Sequence, residues 1–277
     1  MLTPQQVELF NEQGYIVIKG AFSREDSIAW VRDECLRAGY DLDDPETWSK
    51  EYVRLDTERK VTLPAYAPAA WQASCDLIGG EDRLAYQSGI GLFAVNFRQG
   101  ADSPYQPASA AVGGWHIDGW NFRHFLDSPE QALLGIPLMT DVLPEGGGTF
   151  IAADSVPVIS RYLADHPEGV VDYEMPIKDL VSQCKDFREV TGEAGDFFLL
   201  HPFTLHAVSQ NRLRLPRAIC NVCYVMKEPM KLNREDGAYS PVEQAILHGL
   251  GVDRYDFQPT ADRYKTLDGG PINPAWR

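Results

Sequence analysis

Trp115-His116-Ile117-Asp118-Gly119-Trp120 is the stretch around which the rest of this 277-residue chain is read. Side chains on a β-strand alternate between faces. His116 and Asp118, two apart, therefore present an imidazole and a carboxylate to the same side. Two such groups and a distant histidine form the facial triad that holds non-haem iron(II) and keeps positions open for other ligands. A His-x-Asp is equally at home as a hydrogen-bonded structural pair, so the remaining sequence has to decide between the two readings.

Downstream of this stretch the chain reads as short strands separated by glycine-containing turns. Strands are expected over Ile136–Val142, Thr149–Ala152, Phe197–Leu200 and Arg217–Val225. Glu145-Gly146-Gly147-Gly148 is read as a hairpin turn, because no Gly-Lys-Ser/Thr and no helix start follow as a phosphate cradle would need. One helix, Val156–His166, interrupts the series, with Ile159, Tyr162 and Leu163 inward.

Upstream the character is helical. Thr3 as N-cap, Pro4 at N1 and Gln6 closing a capping box open a helix with Val7, Leu9 and Phe10 on its apolar side, ended by Gly14. A strand Tyr15–Lys19 follows, then a helix capped by Ser23 that turns Ile28, Val31 and Cys35 inward and stops at Gly39. Asp41 to Lys60 reads as loop with a short helix near Thr47, and a further helix runs from Pro68 to about Ile78. A strand over Leu92–Arg98 leads into Gln99–Gly114, a long Gly-, Ala-, Ser- and Pro-rich loop that enters the His116 stretch directly and reads as a lid or a mobile surface loop.

This order predicts a mainly β fold, a jelly roll or cupin-like double-stranded β-helix with N-terminal and inserted α-helices packed on the barrel. One domain is expected over residues 1–277: a helical part over about 1–80, a core over about 84–230, and a C-terminal extension over about 231–277. The extension carries a helix at Ser240–Leu247 and a Pro-rich tail.

Composition bounds the function. A net charge of −15 disfavours nucleic acid and anionic membrane surfaces as partners, names no partner itself, and is read as serving solubility. No apolar run is long enough to span a bilayer, no secretory pattern opens the chain, and five scattered cysteines read as reduced thiols, which together suggest the cytoplasm. Cys220-Asn221-Val222-Cys223 matches C-x-x-C, but in a strand its two thiols face opposite ways.

A third metal ligand would come from His201 or His206, both after the Phe197–Leu200 strand. Arg217 starts the next strand, eleven positions after His206. In a jelly roll these adjacent strands bring a histidine and an arginine into one cavity, and a guanidinium is suited to hold a distal carboxylate such as that of 2-oxoglutarate.

His116-x-Asp118, then Gly195-Asp196-Phe197-Phe198-Leu199-Leu200-His201-Pro202-x-x-x-His206, Asn211 and Arg217, together resemble the phytanoyl-CoA dioxygenase family of Fe(II)/2-oxoglutarate oxygenases. Leu2–Gln6 with Gly14–Ile18, and Leu138–Thr149, are similar to further stretches of that family. The resemblance implies iron(II) held by His116, Asp118 and His206, with the distal carboxylate of 2-oxoglutarate on Arg217. It implies Asn96 and Thr149 at positions that touch the cosubstrate. The chain departs from it at Val208, where relatives often carry serine, and at Ala153-Asp154-Ser155, where Gly-Ser-His is common.

The implied activity is that of a dioxygenase using O2 and 2-oxoglutarate to oxidise, most simply to hydroxylate, a small or medium-sized metabolite with release of succinate and CO2. Relatives act on diverse small molecules, natural products among them. Candidate substrate contacts are Tyr105, Trp120, Phe122, Arg123 and Asn221. His124, His166 and His248 sit among polar neighbours and read as solvated surface. Two other classes fit a bare triad: a non-enzymatic cupin-like binding protein, and a metal-dependent isomerase or hydrolase that uses no 2-oxoglutarate.

Overall fold

The computed structural model describes residues 1–264; the Pro-rich tail lies outside them. Helix α1 (Pro4–Gln13) starts with the expected reciprocal capping box between Thr3 and Gln6 and ends on left-handed Gly14. Of its apolar residues only Phe10 is buried, and Leu9 faces solvent. Strand β1 (Tyr15–Ile18) and helix α2 (Arg24–Arg37), capped by Ser23, follow; α2 buries Val31 and Cys35 as read, with Trp30 rather than Ile28 beside them.

Residues 41–60 depart from the loop expectation. After a 3₁₀ turn at Pro45–Thr47, strand β2 runs Tyr52–Thr62. Val53, Leu55 and Thr57 are buried while Arg54, Asp56 and Glu58 on the opposite face are exposed, so alternation is present beneath the charges. Then come α3 (Leu63–Tyr66), α4 (Pro68–Ile78) and β3 (Gly89–Asn96). The second half contains β4 (Leu133–Pro137), β5 (Thr149–Ala152), α5 (Ser155–Ala164), α6 (Ile177–Val181) and β6 (Phe187–Glu189). It closes with β7 (Phe197–Leu200), β8 (His206–Val208), β9 (Arg217–Ile219), β10 (Val222–Tyr224) and α7 (Pro241–Leu250).

The strands form three antiparallel sheets, ordered β1-β7-β4-β10, β2-β3-β9 and β6-β5-β8. Three expectations change here. The strand read at Ile136–Val142 lies earlier, because Leu133 to Pro137 pair with both β7 and β10. The Gly146–Gly148 turn is not a hairpin, since β4 and β5 belong to different sheets. The run Arg217–Val225 is two strands: β9 pairs with β3, and after Cys220-Asn221 the chain changes sheet so that β10 pairs with β4. The opposed thiols hold across that break, with Cys220 buried and Cys223 exposed.

Strands buried on both faces read as continuous apolar runs, and β4 and β7 show why. Phe197 and Leu199 join the large core shared with the helices, whereas Phe198 and Leu200 join a second, smaller core. All three sheets enclose that second core, through Leu134 and Ile136, through Ala94 and Ile219, and through Ile151. The site described next opens onto this inner space. The 99–114 segment has no helix or strand. The Gln210 amide donates to the Gly100 and Pro104 carbonyls at 3.1 Å each and accepts from Gln106 N, and Asp102 pairs with Arg214.

Candidate metal centre

The two candidate histidines face each other because their backbones pair. His116 N donates to His206 O at 3.0 Å and His206 N to His116 O at 2.9 Å, which sets the imidazole centroids 4.3 Å apart. Ile117, between His116 and Asp118, turns into the core, so the expected two-residue alternation places both candidate ligands on the cavity side. Past Asp118 the chain bends sharply at Gly119, φ 123°, where a Cβ would lie within 2.6 Å of the Phe122 and His124 rings.

Backbone carbonyls fix both imidazoles. His116 Nδ1 lies 2.8 Å from Gly114 O, and His206 Nδ1 lies 3.0 Å from Thr204 O. A carbonyl can only accept, so each Nδ1 carries a proton, and the neutral ring then keeps its lone pair on Nε2, the tautomer a metal-bound histidine requires. Asp118 Oδ1 stands 3.6 Å from each Nε2, and its other oxygen accepts from Asn221 Nδ2 at 3.1 Å. One ligand atom from each of His116, Asp118 and His206 falls within 4.8 Å of the others. His206 Nε2 is enclosed and has no hydrogen-bond partner. A lone pair buried without a donor fits a bound cation, and two neutral imidazoles with one carboxylate suit a divalent transition metal that retains open positions.

The three groups are coupled through their charges. Burial opposes ionisation of Asp118, but the two imidazoles outweigh it and hold the carboxyl well below the usual carboxylate range. Burial would lower the His116 pKa, yet the Asp118 carboxylate prevails and raises it.

Two cavities meet at this centre. The inner one, about 400 Å³, runs past Thr149 and Ile136 to Arg217; the outer one, about 590 Å³, is walled by Trp115, Met175 and Ile177. Arg217 is fully buried. Its Nε donates to Gly147 O at 2.5 Å and its Nη1 lies 3.4 Å from Ala94 O, and it forms no ion pair among the described residues. Burial pushes its guanidinium down to about 10. Gly147 permits this arrangement, because at φ 82° a Cβ would come within 2.8 Å of the Asn96 amide.

The cavities thus gather His116, Asp118, His206, Arg217, Thr149, Trp120, Phe122 and Asn221. They do not gather three other candidates. The Asn96 amide donates to Ser209 O and accepts from Gln99 N. Tyr105 turns its hydroxyl to Glu189, and Arg123 stacks its guanidinium 4.5 Å over the Tyr264 ring. His201 is buried apart from the centre, with Nε2 donating to Val242 O and Nδ1 accepting from Phe203 N. His124 is likewise buried, contrary to a surface reading: its Nε2 donates to Gly119 O, and burial pushes its pKa down to about 4. His166 is half-buried and His248 exposed. Sequence reading missed Tyr52 and Arg54, which reach the cavity from the unforeseen β2, and Gln131 just before β4.

No helix among the described residues is long and apolar enough to cross a membrane. No curated protein matches the chain. Among solved structures it is similar to HygX from Streptomyces hygroscopicus with nickel and 2-oxoglutarate bound. That match has 18% identity and a TM-score of 0.46, over 82% of this chain and 88% of that one. It is similar also to SnoK, a non-haem α-ketoglutarate-dependent carbocyclase from nogalamycin biosynthesis, at 18% identity and TM-score 0.49 over 83% and 86%. A third is EctD from S. alaskensis with 2-oxoglutarate and 5-hydroxyectoine, at 20% and 0.42 over 81% and 76%. The family model for phytanoyl-CoA dioxygenase matches residues 10–218. On that match the chain belongs to the phytanoyl-CoA dioxygenase family and is a 2-oxoglutarate-dependent non-haem iron enzyme that uses O2.

Proposed function

We propose that His116, Asp118 and His206 hold the iron(II), that Arg217 receives the distal carboxylate of 2-oxoglutarate with Thr149 beside it, and that the enzyme hydroxylates a small or medium-sized metabolite. Succinate and CO2 are the coproducts. The observation that carries this reading is Arg217: a fully buried guanidinium without a carboxylate partner, in the same cavity as the three candidate ligands. A buried charge in that state is compensated when a ligand brings the opposite one.

Each residue has a definite task. The Gly114 and Thr204 carbonyls hold the two Nε2 lone pairs inward. Asn221 occupies one oxygen of Asp118, which leaves the other, equidistant from both imidazoles, as the ligand atom. Arg217, tied to Gly147 O, is aimed before the cosubstrate arrives, so little orientation is lost on binding. Phe122 and Trp120 line the same cavity and offer it aromatic surface. Iron(II) with bound 2-oxoglutarate supplies the activation of O2; the protein's share is placement and exclusion.

We also read the three sheets around the inner core as one double-stranded β-helix forming a single domain in the cytoplasm. The shared second core supports the reading of one β-helix and one domain. Incubating the iron-loaded protein with 2-oxoglutarate and O2 should release succinate, and Asp118→Ala should abolish that release. Succinate formation unchanged in Asp118→Ala would sink the proposal.

A further inference from the structure

The iron site and Arg217 leave two cavity residues unexplained. Gln131 lies just before β4, is 4% exposed, lines the inner cavity, and has an enclosed Nε2 without a hydrogen-bond partner. Burying an amide N–H unpaired is unfavourable, and an apolar side chain of similar length would fill the space without that penalty. Arg54, exposed on β2, lines both cavities and makes no hydrogen bond or ion pair among the described residues.

Both groups are donors, so a ligand that satisfies them brings acceptors. Their surroundings differ. Asp118 and Glu130 line the inner cavity with Gln131 and disfavour a second anion there, which makes a neutral carbonyl or hydroxyl oxygen the better partner for its amide. Arg54, at the wall the two cavities share, is the cation an anionic group would meet first. Phe122 and Trp120 line the same cavity as both and offer aromatic surface.

We propose that Gln131 and Arg54 are the specificity-determining residues, and that the substrate is a small organic acid. Its anionic group lies on Arg54, a neutral carbonyl or hydroxyl oxygen lies on Gln131 Nε2, and its apolar or aromatic body packs against Phe122 and Trp120. The assignment rests on the reading in which 2-oxoglutarate occupies the Arg217 end.

The test uses the full chain with nickel(II) and saturating 2-oxoglutarate, so that no turnover occurs, and follows melting temperature. The probes are N-acetyl-phenylalanine and 4-oxo-4-phenylbutanoate, each against its methyl ester, with phenethylamine as the cationic counterpart. The acids should raise the melting temperature more than the esters or the amine. Arg54→Met should remove the preference for acid over ester. Gln131→Leu should weaken acid binding about tenfold or more, the worth of one hydrogen bond from a buried donor. Without probe, Gln131→Leu should melt at or above the wild-type temperature, and both variants should bind 2-oxoglutarate as the wild type does.

Esters or amine binding as well as the acids, or no probe binding at all, would overturn the proposal. So would a lower melting temperature for ligand-free Gln131→Leu, which would make the residue structural, or weakened 2-oxoglutarate binding in either variant. Wild-type protein that fails to bind 2-oxoglutarate with nickel(II) would instead strike the underlying reading of Arg217.

Discussion

Replacing Arg217 with methionine separates a ligand-binding arginine from a structural one. Burial pushes the guanidinium down to about 10, a penalty on the charged form of roughly 3 kcal/mol. Its bonds to the Gly147 and Ala94 carbonyls return a similar amount, about 1.5 kcal/mol each for charge-assisted donors. Methionine removes penalty and bonds together and keeps most of the volume. Without cosubstrate the variant should therefore lie within about 2 kcal/mol of wild type, against the 3–5 kcal/mol expected for breaking a buried ion pair, roughly. With cosubstrate the two should diverge. At 100 times its Kd, 2-oxoglutarate stabilises wild type by about 2.7 kcal/mol. If the lost contact weakens binding 10- to 100-fold, that gain falls to between roughly 1.4 and 0.4 kcal/mol at the same concentration. Urea unfolding with nickel(II), followed by tryptophan fluorescence with and without 2-oxoglutarate, measures both numbers. A ligand-free loss above about 3 kcal/mol with the 2-oxoglutarate stabilisation intact would refute the reasoning.

Three further outcomes follow from the same geometry. His206→Ala should lose bound iron by elemental analysis, whereas His201→Ala should keep it and only lower stability, because His201 bonds Val242 and Phe203 away from the centre. Asn221→Ala removes the hydrogen bond that Asn221 donates to Asp118; iron affinity measured by competition with a chelator should fall about 10- to 100-fold. Burial pushes the His201 pKa down to about 3, below its unfolded value, so the unfolded chain binds the extra proton and stability is full above about pH 7 and falls as pH drops. The urea-derived stability at pH 5 should be lower by roughly 2 kcal/mol from this residue alone, and His201→Asn should remove that part of the decline; an unchanged pH dependence in the variant would contradict it.

What the chain made legible was local or strongly spaced. The His116–Asp118 pair needed only strand alternation, and the Thr3–Gln6 capping box needed only four residues. What it hid depends on distant partners. Nothing local marks the change of sheet at Cys220-Asn221, because it is set by β3 on one side and β4 on the other. Strand β2 carried its signal in Val53, Leu55 and Thr57, but the intervening charges resembled a solvated loop, and Tyr52 and Arg54 were lost with it. His124 has polar neighbours in sequence, yet exchange of backbone bonds with Val170 draws it inside. Asn96 and Tyr105 could have served the cavity by position. Their side chains instead meet Gln99 three residues on and, far along the chain, Ser209 after β8 and Glu189 on β6.

The central claim is that the three ligands and Arg217 form one binding unit for iron(II) and 2-oxoglutarate. Adding 2-oxoglutarate to the iron(II) protein under anaerobic conditions tests it directly. A weak visible charge-transfer band should appear and saturate, and Arg217→Met should shift its titration to higher 2-oxoglutarate by about 10-fold or more. No band in the wild type, or an unshifted titration in the variant, would contradict the account.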